Sequence, residues 1–334
     1  QDITALAAYQ NVRGRLGWGV SAQQVPYLTG GYSVFGDVVG GTPVLVEERL
    51  LIRQTNRQLA GQIMYPFSTV QRVELIGGYR NITFDRELRT RFYDPTGSVL
   101  LDEFEEDLDS PSALNLGEGA AALVYDNSFF GATSPILGQR YRLEVNPMFG
   151  SLNLVNAIVD FRRYFMPVRP FTLAFRALHY GRYGGDSEDQ RLNPLYLGYD
   201  GLVRGYRVGS FSAEECEPVA GDPNACPVFD QLIGSRILVG NAELRFPLFG
   251  ALGIGSGYYG VFPLELAIFG DAGVAWTANE EPQFAGGTRD IVTSAGASAR
   301  INLLGFLIAE VSLVRPFERP EKGWMWQFAL QPGF

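Results

Sequence analysis

Trp324-Met325-Trp326-Gln327-Phe328-Ala329-Leu330-Gln331-Pro332-Gly333-Phe334 is the stretch that decides the fold. Successive side chains of an extended strand point to opposite sides. Trp324, Trp326, Phe328, Leu330, Pro332 and Phe334 therefore share one face, and Met325, Gln327, Ala329 and Gln331 share the other. One face suits hydrocarbon; the other is small or polar. The same alternation recurs upstream. Leu59, Gly61, Ile63 and Tyr65 alternate with Gln58, Ala60, Gln62 and Met64, and Glu265, Ala267, Phe269, Asp271 and Gly273 alternate with Leu264, Leu266 and Ile268. Thirteen such segments are readable, near 2–10, 15–27, 45–66, 70–94, 113–125, 139–149, 154–166, 170–184, 235–247, 264–276, 290–303, 307–317 and 324–334. No segment follows the 3.6-residue period of an amphipathic helix.

Long alternating strands joined by short and long connections in turn are the pattern of a transmembrane antiparallel β-barrel. Such a barrel can cross a bilayer because every backbone polar group pairs with a neighbouring strand. A soluble sandwich or propeller has no need of strands this long. With the last strand running inward, the connections 318–323, 277–289, 185–233, 150–153, 95–112 and 29–44 fall on the outside. The connections 248–263, 166–170, 126–138, 67–69 and 11–14 fall on the inside. Residues 29–44, rich in glycine and aromatics, and the acidic run Asp102-Glu103-Phe104-Glu105-Glu106-Asp107-Leu108-Asp109 are expected to be solvated outer loops. The charge-free run Phe246–Leu264 has the length of a membrane helix, but its glycines and prolines read instead as a strand end, a turn and a strand start.

Composition narrows the function. The 334 residues carry a net charge of −9, which argues against nucleic acid and against a polybasic membrane-surface binder. Cys216 and Cys226 lie in one polar loop, with no histidine or further cysteine near them. A local disulfide in an oxidising compartment is favoured over free thiols, and a metal site is not expected. The only histidine, His179, lies on a strand and no G-x-S-x-G elbow occurs. A barrel-embedded hydrolase would need both a serine and an acid around that histidine, so no enzymatic activity and no cofactor are expected. The four tryptophans, Trp18, Trp276, Trp324 and Trp326, suit aromatic girdles at the bilayer interfaces. The chain begins at Gln1 without a leader, which reads as a processed chain or a fragment.

The longest polar gap holds Gly201-Leu202-Val203-Arg204-Gly205-Tyr206-Arg207-Val208-Gly209-Ser210-Phe211. Arg204 carries five donors in a rigid fork and is always charged. Set beside a flexible glycine, it looks aimed at a carboxylate. Glu243 and Asp271 are the candidates, each on a following strand.

With these residues in place, the chain resembles the barrel of the outer-membrane insertase and translocase superfamily, the BamA-like barrels of the bacterial surface antigen type. Val203-Arg204-Gly205-Tyr206 matches the family's loop-six motif. Phe269-Gly270-Asp271-Ala272-Gly273 matches its strand-13 motif, and Glu243 its lumen-facing strand-12 acid. Trp326, Phe328, Leu330 and Phe334 are similar to the C-terminal signal by which outer-membrane barrels are themselves assembled. The resemblance implies a sixteen-stranded barrel with a long loop six folded into the lumen, locked by Arg204 on Asp271 and Glu243, with Gly273 beside them.

Five strands follow loop six, so residues 1–334 correspond to strands 4 to 16. The first three strands and a periplasmic domain (POTRA repeats, or a TolB-like propeller) are expected upstream or, for the strands, on a second chain. The implied function is insertion or movement of polypeptide at the bacterial outer membrane, with lipid and other membrane or periplasmic proteins as partners. The alternative is a structural anchor for an upstream soluble domain, or a subunit of a larger outer-membrane assembly. A diffusive porin fits less well, because loop six would plug the lumen.

Overall fold

A computed structural model describes residues 3–216 and 226–332. Among these, strands dominate and helices are reduced to single turns. The first group of strands is β1 (Ala5–Asn11), β2 (Gly17–Val39), β3 (Thr42–Pro66), β4 (Gln71–Tyr93) and β5 (Leu100–Leu108). Next come β6 (Leu114–Asp126), β7 (Phe129–Phe130), β8 (Pro135–Gly150), β9 (Leu154–Val168) and β10 (Phe171–Tyr183). The long connection that follows contains β11 (Leu195–Tyr196) and β12 (Ile233–Gly234), which pair with each other. The chain then forms β13 (Arg236–Pro247), β14 (Leu264–Trp276), β15 (Val292–Leu303), β16 (Leu307–Pro316) and β17 (Met325–Pro332).

The sheet runs in the order β1-β2-β3-β4-β6-β8-β9-β10-β13-β14-β15-β16-β17, with β5 on β4 and β7 on β8. The thirteen strands of that path are the thirteen segments read from the alternation, and no described helix is long and apolar enough to cross a membrane. Consecutive long strands pair antiparallel, so the chain is an all-β meander of the kind an outer-membrane barrel requires.

The chain divides into two compact units. The first holds the residues up to Tyr65 together with Leu75–Ala120 and Pro147–Asn153. Here two expectations are corrected. Residues 29–44 are not a loop: β2 and β3 pair without interruption from Gly17↔Met64 to Val39↔Thr42. The hairpin closes on Gly40 and Gly41, both at positive φ (60° and 84°). A two-residue turn with both central residues at positive φ matches the twist of the strands it joins, and glycine adopts it without strain. At about 3.3 Å per residue, β2 is roughly 75 Å long, well over twice the hydrocarbon thickness.

The acidic run is likewise a strand, β5, paired with the basic end of β4 from Arg86↔Leu108 to Tyr93↔Leu100. Arg89 contacts Glu103 and Glu105, and Arg91 lies 3.1 Å from Glu103. Cross-strand partners of opposite sign turn a segment that reads as a solvated loop into a ladder.

The second unit holds Pro66–Glu74, Ala121–Asn146 and the residues from Leu154 onward. Its strands keep the alternation read from sequence. On β14, Glu265, Ala267, Phe269 and Asp271 are buried, while Ile268 is 60% exposed. On β17, Trp326, Phe328 and Leu330 are exposed, with Trp324 just ahead of them. An exposed aromatic stripe of this kind is the lipid-facing band of a barrel strand. Phe334 lies outside the described residues. The buried faces of β10, β13, β14 and β15 pack against the connection between β10 and β13, including its β11–β12 pair. Leu178, Ile237, Val239, Ala275 and Val292 of the strands meet Tyr196, Leu197, Val203, Tyr206 and Leu232 of that connection in one apolar cluster.

Candidate functional site: the docked loop six

Loop six is the connection between β10 and β13, and its Val203-Arg204-Gly205-Tyr206 segment lies on the buried face of the strands. Each of the four residues has a separate task. Val203 is fully buried and sits over Gly273 of β14. A Cβ at Gly273 would come within 2.6 Å of the Val203 side chain and 3.1 Å of Leu197. The missing side chain on the strand is what lets the loop approach. Gly205 has φ of +93°, a left-handed conformation natural to glycine. A Cβ there would meet Val314 at 2.9 Å and Pro316 at 3.2 Å.

Arg204 is buried and spends its fork on carboxylates. Nε donates to Asp271 Oδ2 at 2.7 Å and Nη2 to Asp271 Oδ1 at 2.7 Å. The Arg204 backbone N–H also donates to Asp271 Oδ2, at 3.2 Å. Nη1 reaches Glu243 at 2.9 Å and Glu310 at 3.5 Å. The guanidinium carbon stands 3.3 Å from the centre of the Phe269 ring, adding a cation–π contact to the charge pairs. Glu243 and Asp271 come from neighbouring strands paired Asn241↔Asp271 and Glu243↔Phe269. Those pairings bring both carboxylates to one spot on the same face. Asn241 completes the support, donating to Asp271 Oδ1 at 2.8 Å and to the Leu202 carbonyl at 2.7 Å.

The network is wider than the three residues named from sequence. Arg300 of β15 donates to both Glu243 oxygens at 2.9 Å and to both Glu310 oxygens at 3.1 and 3.2 Å. Arg245 donates to Glu243 at 2.6 Å. Glu243 is thus shared by three arginines. Four carboxylates and three guanidiniums on β13–β16 and loop six are joined by direct contact once Glu265, 3.7 Å from Arg300, is included. Beside them opens a small polar cavity of about 170 Å³, bordered by Arg162, Arg176, Arg204, Glu243, Arg300 and Glu310.

Tyr206 is fully buried. Its hydroxyl donates to Glu318 at 2.5 Å and lies 2.9 Å from the Thr293 carbonyl, one proton shared between two acceptors. Burial, and that hydrogen bond to a carboxylate, push its pKa up, so the phenol stays neutral. Arg207 pairs with Asp200 and donates to the Phe328 carbonyl of β17 at 3.0 Å. The tip of the loop is stapled: Cys216 and Cys226 form a disulfide.

His179 is bonded to the Ile237 carbonyl at 2.9 Å and to the Tyr183 hydroxyl at 2.7 Å, and stacks on Trp276. No serine is among those contacts. Arg300, Glu310 and Glu318 were within reach of sequence reasoning only as polar residues on or near strands, and Arg319 only as a loop arginine.

A family model described as the Omp85 superfamily domain matches residues 52–328. Among solved structures, the crystal structure of BamA from Haemophilus ducreyi lacking POTRA domains 1-3 is similar, with a TM-score of 0.49 and 13% sequence identity. That likeness covers 99% of this chain and 70% of the other. No curated protein sequence matches.

Proposed function

The chain belongs to the Omp85 superfamily, an outer-membrane barrel group of insertases and translocases, and on that premise we propose that it inserts or moves polypeptide at a bacterial outer membrane. The observation that carries this reading is the docked loop six. Its arginine is held by carboxylates of two adjacent strands, and its glycine and valine fit gaps left for them. A loop so placed occupies the buried face of the strands as a positioned part, which argues against a freely diffusive pore.

The chemistry of the network supports a mechanical role, not an enzymatic one. Its arginines and carboxylates bind one another, and a saturated ion-pair network holds a conformation. The protein's work in this reading is done by strand edges and a gated interior, with other membrane or periplasmic proteins as partners. Superfamily membership supports outer-membrane partners in general and leaves the client to experiment.

The test is reconstitution of the protein in lipid vesicles, followed by addition of an unfolded transmembrane β-barrel polypeptide. The wild-type protein is expected to speed the appearance of protease-resistant, inserted client over empty vesicles, and Arg204→Ala to lose most of that gain. Equal insertion rates with and without the wild-type protein would overturn the reading.

A further inference from the structure

Arg319 lies in the connection between β16 and β17, at the same end of the strands as loop six, and nothing in its sequence setting distinguishes it from a solvated loop residue. It is 1% exposed. Nε donates to Glu215 Oε2 at 2.7 Å; Nη1 donates to the Gly205 carbonyl at 2.6 Å and to Ser210 Oγ at 2.8 Å. Nη2 donates to the Ser210 carbonyl at 2.8 Å and to Glu215 Oε1 at 2.9 Å. A guanidinium has five N–H groups, and here five bonds run to three residues of loop six. The ring of Phe211, also in the loop, lies 3.9 Å from its carbon.

Its neighbours face the same target. Glu318 accepts from Tyr206, and Lys322 lies 3.2 Å from Ser212 Oγ and 3.4 Å from Glu215. Glu215 is joined in sequence to Cys216, one end of the disulfide.

We propose that Arg319 is a second positioning residue for loop six, a latch that holds the Gly205 carbonyl while Asp271 holds Arg204, and that ties this turn to the disulfide-bearing tip. The proposal rests on the reading of docked loop six as a working part. Its geometric basis is three consecutive peptide groups, each held by a different strand or connection. The Arg204 N–H and side chain go to Asp271, the Gly205 N–H goes to Gln327 at 3.2 Å, and the Gly205 carbonyl goes to Arg319. A lysine has three donors on one atom and cannot span Glu215, Ser210 and Gly205 together. The latch therefore depends on the fork as well as on the charge.

The experiment is proteolysis of loop six in the folded, full-length protein in lipid vesicles, comparing wild type with Arg319→Ala, Arg319→Lys, Arg204→Ala and the Arg204→Ala/Arg319→Ala double variant. Both Arg319 variants are expected to raise the rate of cleavage between Gly205 and Asp230 at least tenfold. The double variant is expected to fall well short of the product of the single effects, because either loss frees the same short turn.

Wild-type cleavage of Arg319→Lys would overturn the proposal, as would a double variant equal to the product where Arg204→Ala alone also opens the loop. If Arg204→Ala behaves as wild type while the Arg319 variants open the loop, the latch stands and the Arg204 lock falls. Reduction of folded wild-type protein with dithiothreitol needs no variant. It is expected to raise cleavage several-fold by loosening Glu215, and an unchanged rate would refute the tie between latch and disulfide.

Discussion

Replacing Arg204 by alanine should cost far more than replacing the aspartate it pairs with, and the asymmetry follows from what each change leaves behind. Without Arg204, Asp271 keeps Asn241 on Oδ1 and loses both side-chain bonds from the guanidinium. Its side chain is fully shielded from solvent. Glu243 suffers little, because Arg245 and Arg300 remain on it. The cost is that of one buried carboxylate stripped of its cation, about 3–5 kcal/mol.

Without Asp271, as in Asp271→Asn, Arg204 keeps Glu243 at 2.9 Å, Glu310 at 3.5 Å and the Phe269 ring. It is still compensated, and the cost should stay near the 1–3 kcal/mol of a lost charged hydrogen bond. A double-mutant cycle on urea unfolding, followed by tryptophan fluorescence in detergent micelles, measures both changes and their coupling. The coupling should exceed about 2 kcal/mol, since the two residues touch. An Arg204→Ala cost below about 1 kcal/mol, or a cost smaller than that of Asp271→Asn, would refute the reasoning.

Gly273→Val places a branched side chain where the Val203 methyl already stands 2.6 Å from a Cβ position. Overpacking should cost about 1–3 kcal/mol and make loop six protease-sensitive, which thermal melting and limited proteolysis would show together. Tyr206→Phe removes a hydroxyl that sits between the Thr293 carbonyl and Glu318. Both acceptors keep backbone donors, so the cost should be that of one hydrogen bond to a charged group, about 1.5–3 kcal/mol; an unchanged urea midpoint would contradict this.

Glu215 gives a pH signature. Burial raises its pKa, but hydrogen bonds from Arg319 and Ser212 outweigh that and bring it down to about 2. A carboxylate with a depressed folded-state pKa contributes stability above its unfolded value and loses it as pH falls toward the folded one. Loop-six protection should therefore hold at neutral pH and decline between about pH 4.5 and 2, and Glu215→Gln should flatten that decline in a pH series of proteolysis rates.

The strands were legible because lipid on one side and a polar or small-residue face on the other impose a period of two, and sequence displays that period directly. The regions 29–44 and 102–109 were not. Glycines and aromatics in the first, and six acids in the second, look like loop composition. Both are strands because a neighbouring strand continues the ladder: β3 runs opposite β2 as far as Thr42, and the arginines of β4 neutralise β5.

At the site, Arg204, Glu243 and Asp271 stood out because a charge in an otherwise apolar or small-residue setting is conspicuous. Arg300 and Glu310 were hidden among alternating polar positions that sequence cannot assign to a partner. Arg319 was hidden by its address. A charged residue in a short polar connection reads as solvated, and only the path of loop six, folded back over 114 positions of chain, covers it.

The contacts of loop six with the last strand set an order on folding. The Gly205 N–H meets Gln327, and Arg207 meets the Phe328 carbonyl, at separations of 122 and 121 residues. Such long-range closures are slow and form late. None of them can exist until residues 327 and 328 have been synthesised and have taken their place beside β16. The loop thus registers completion of the C-terminal hairpin: a chain stalled before its final strand lacks both anchors and leaves Arg207 and the Gly205 amide without these partners.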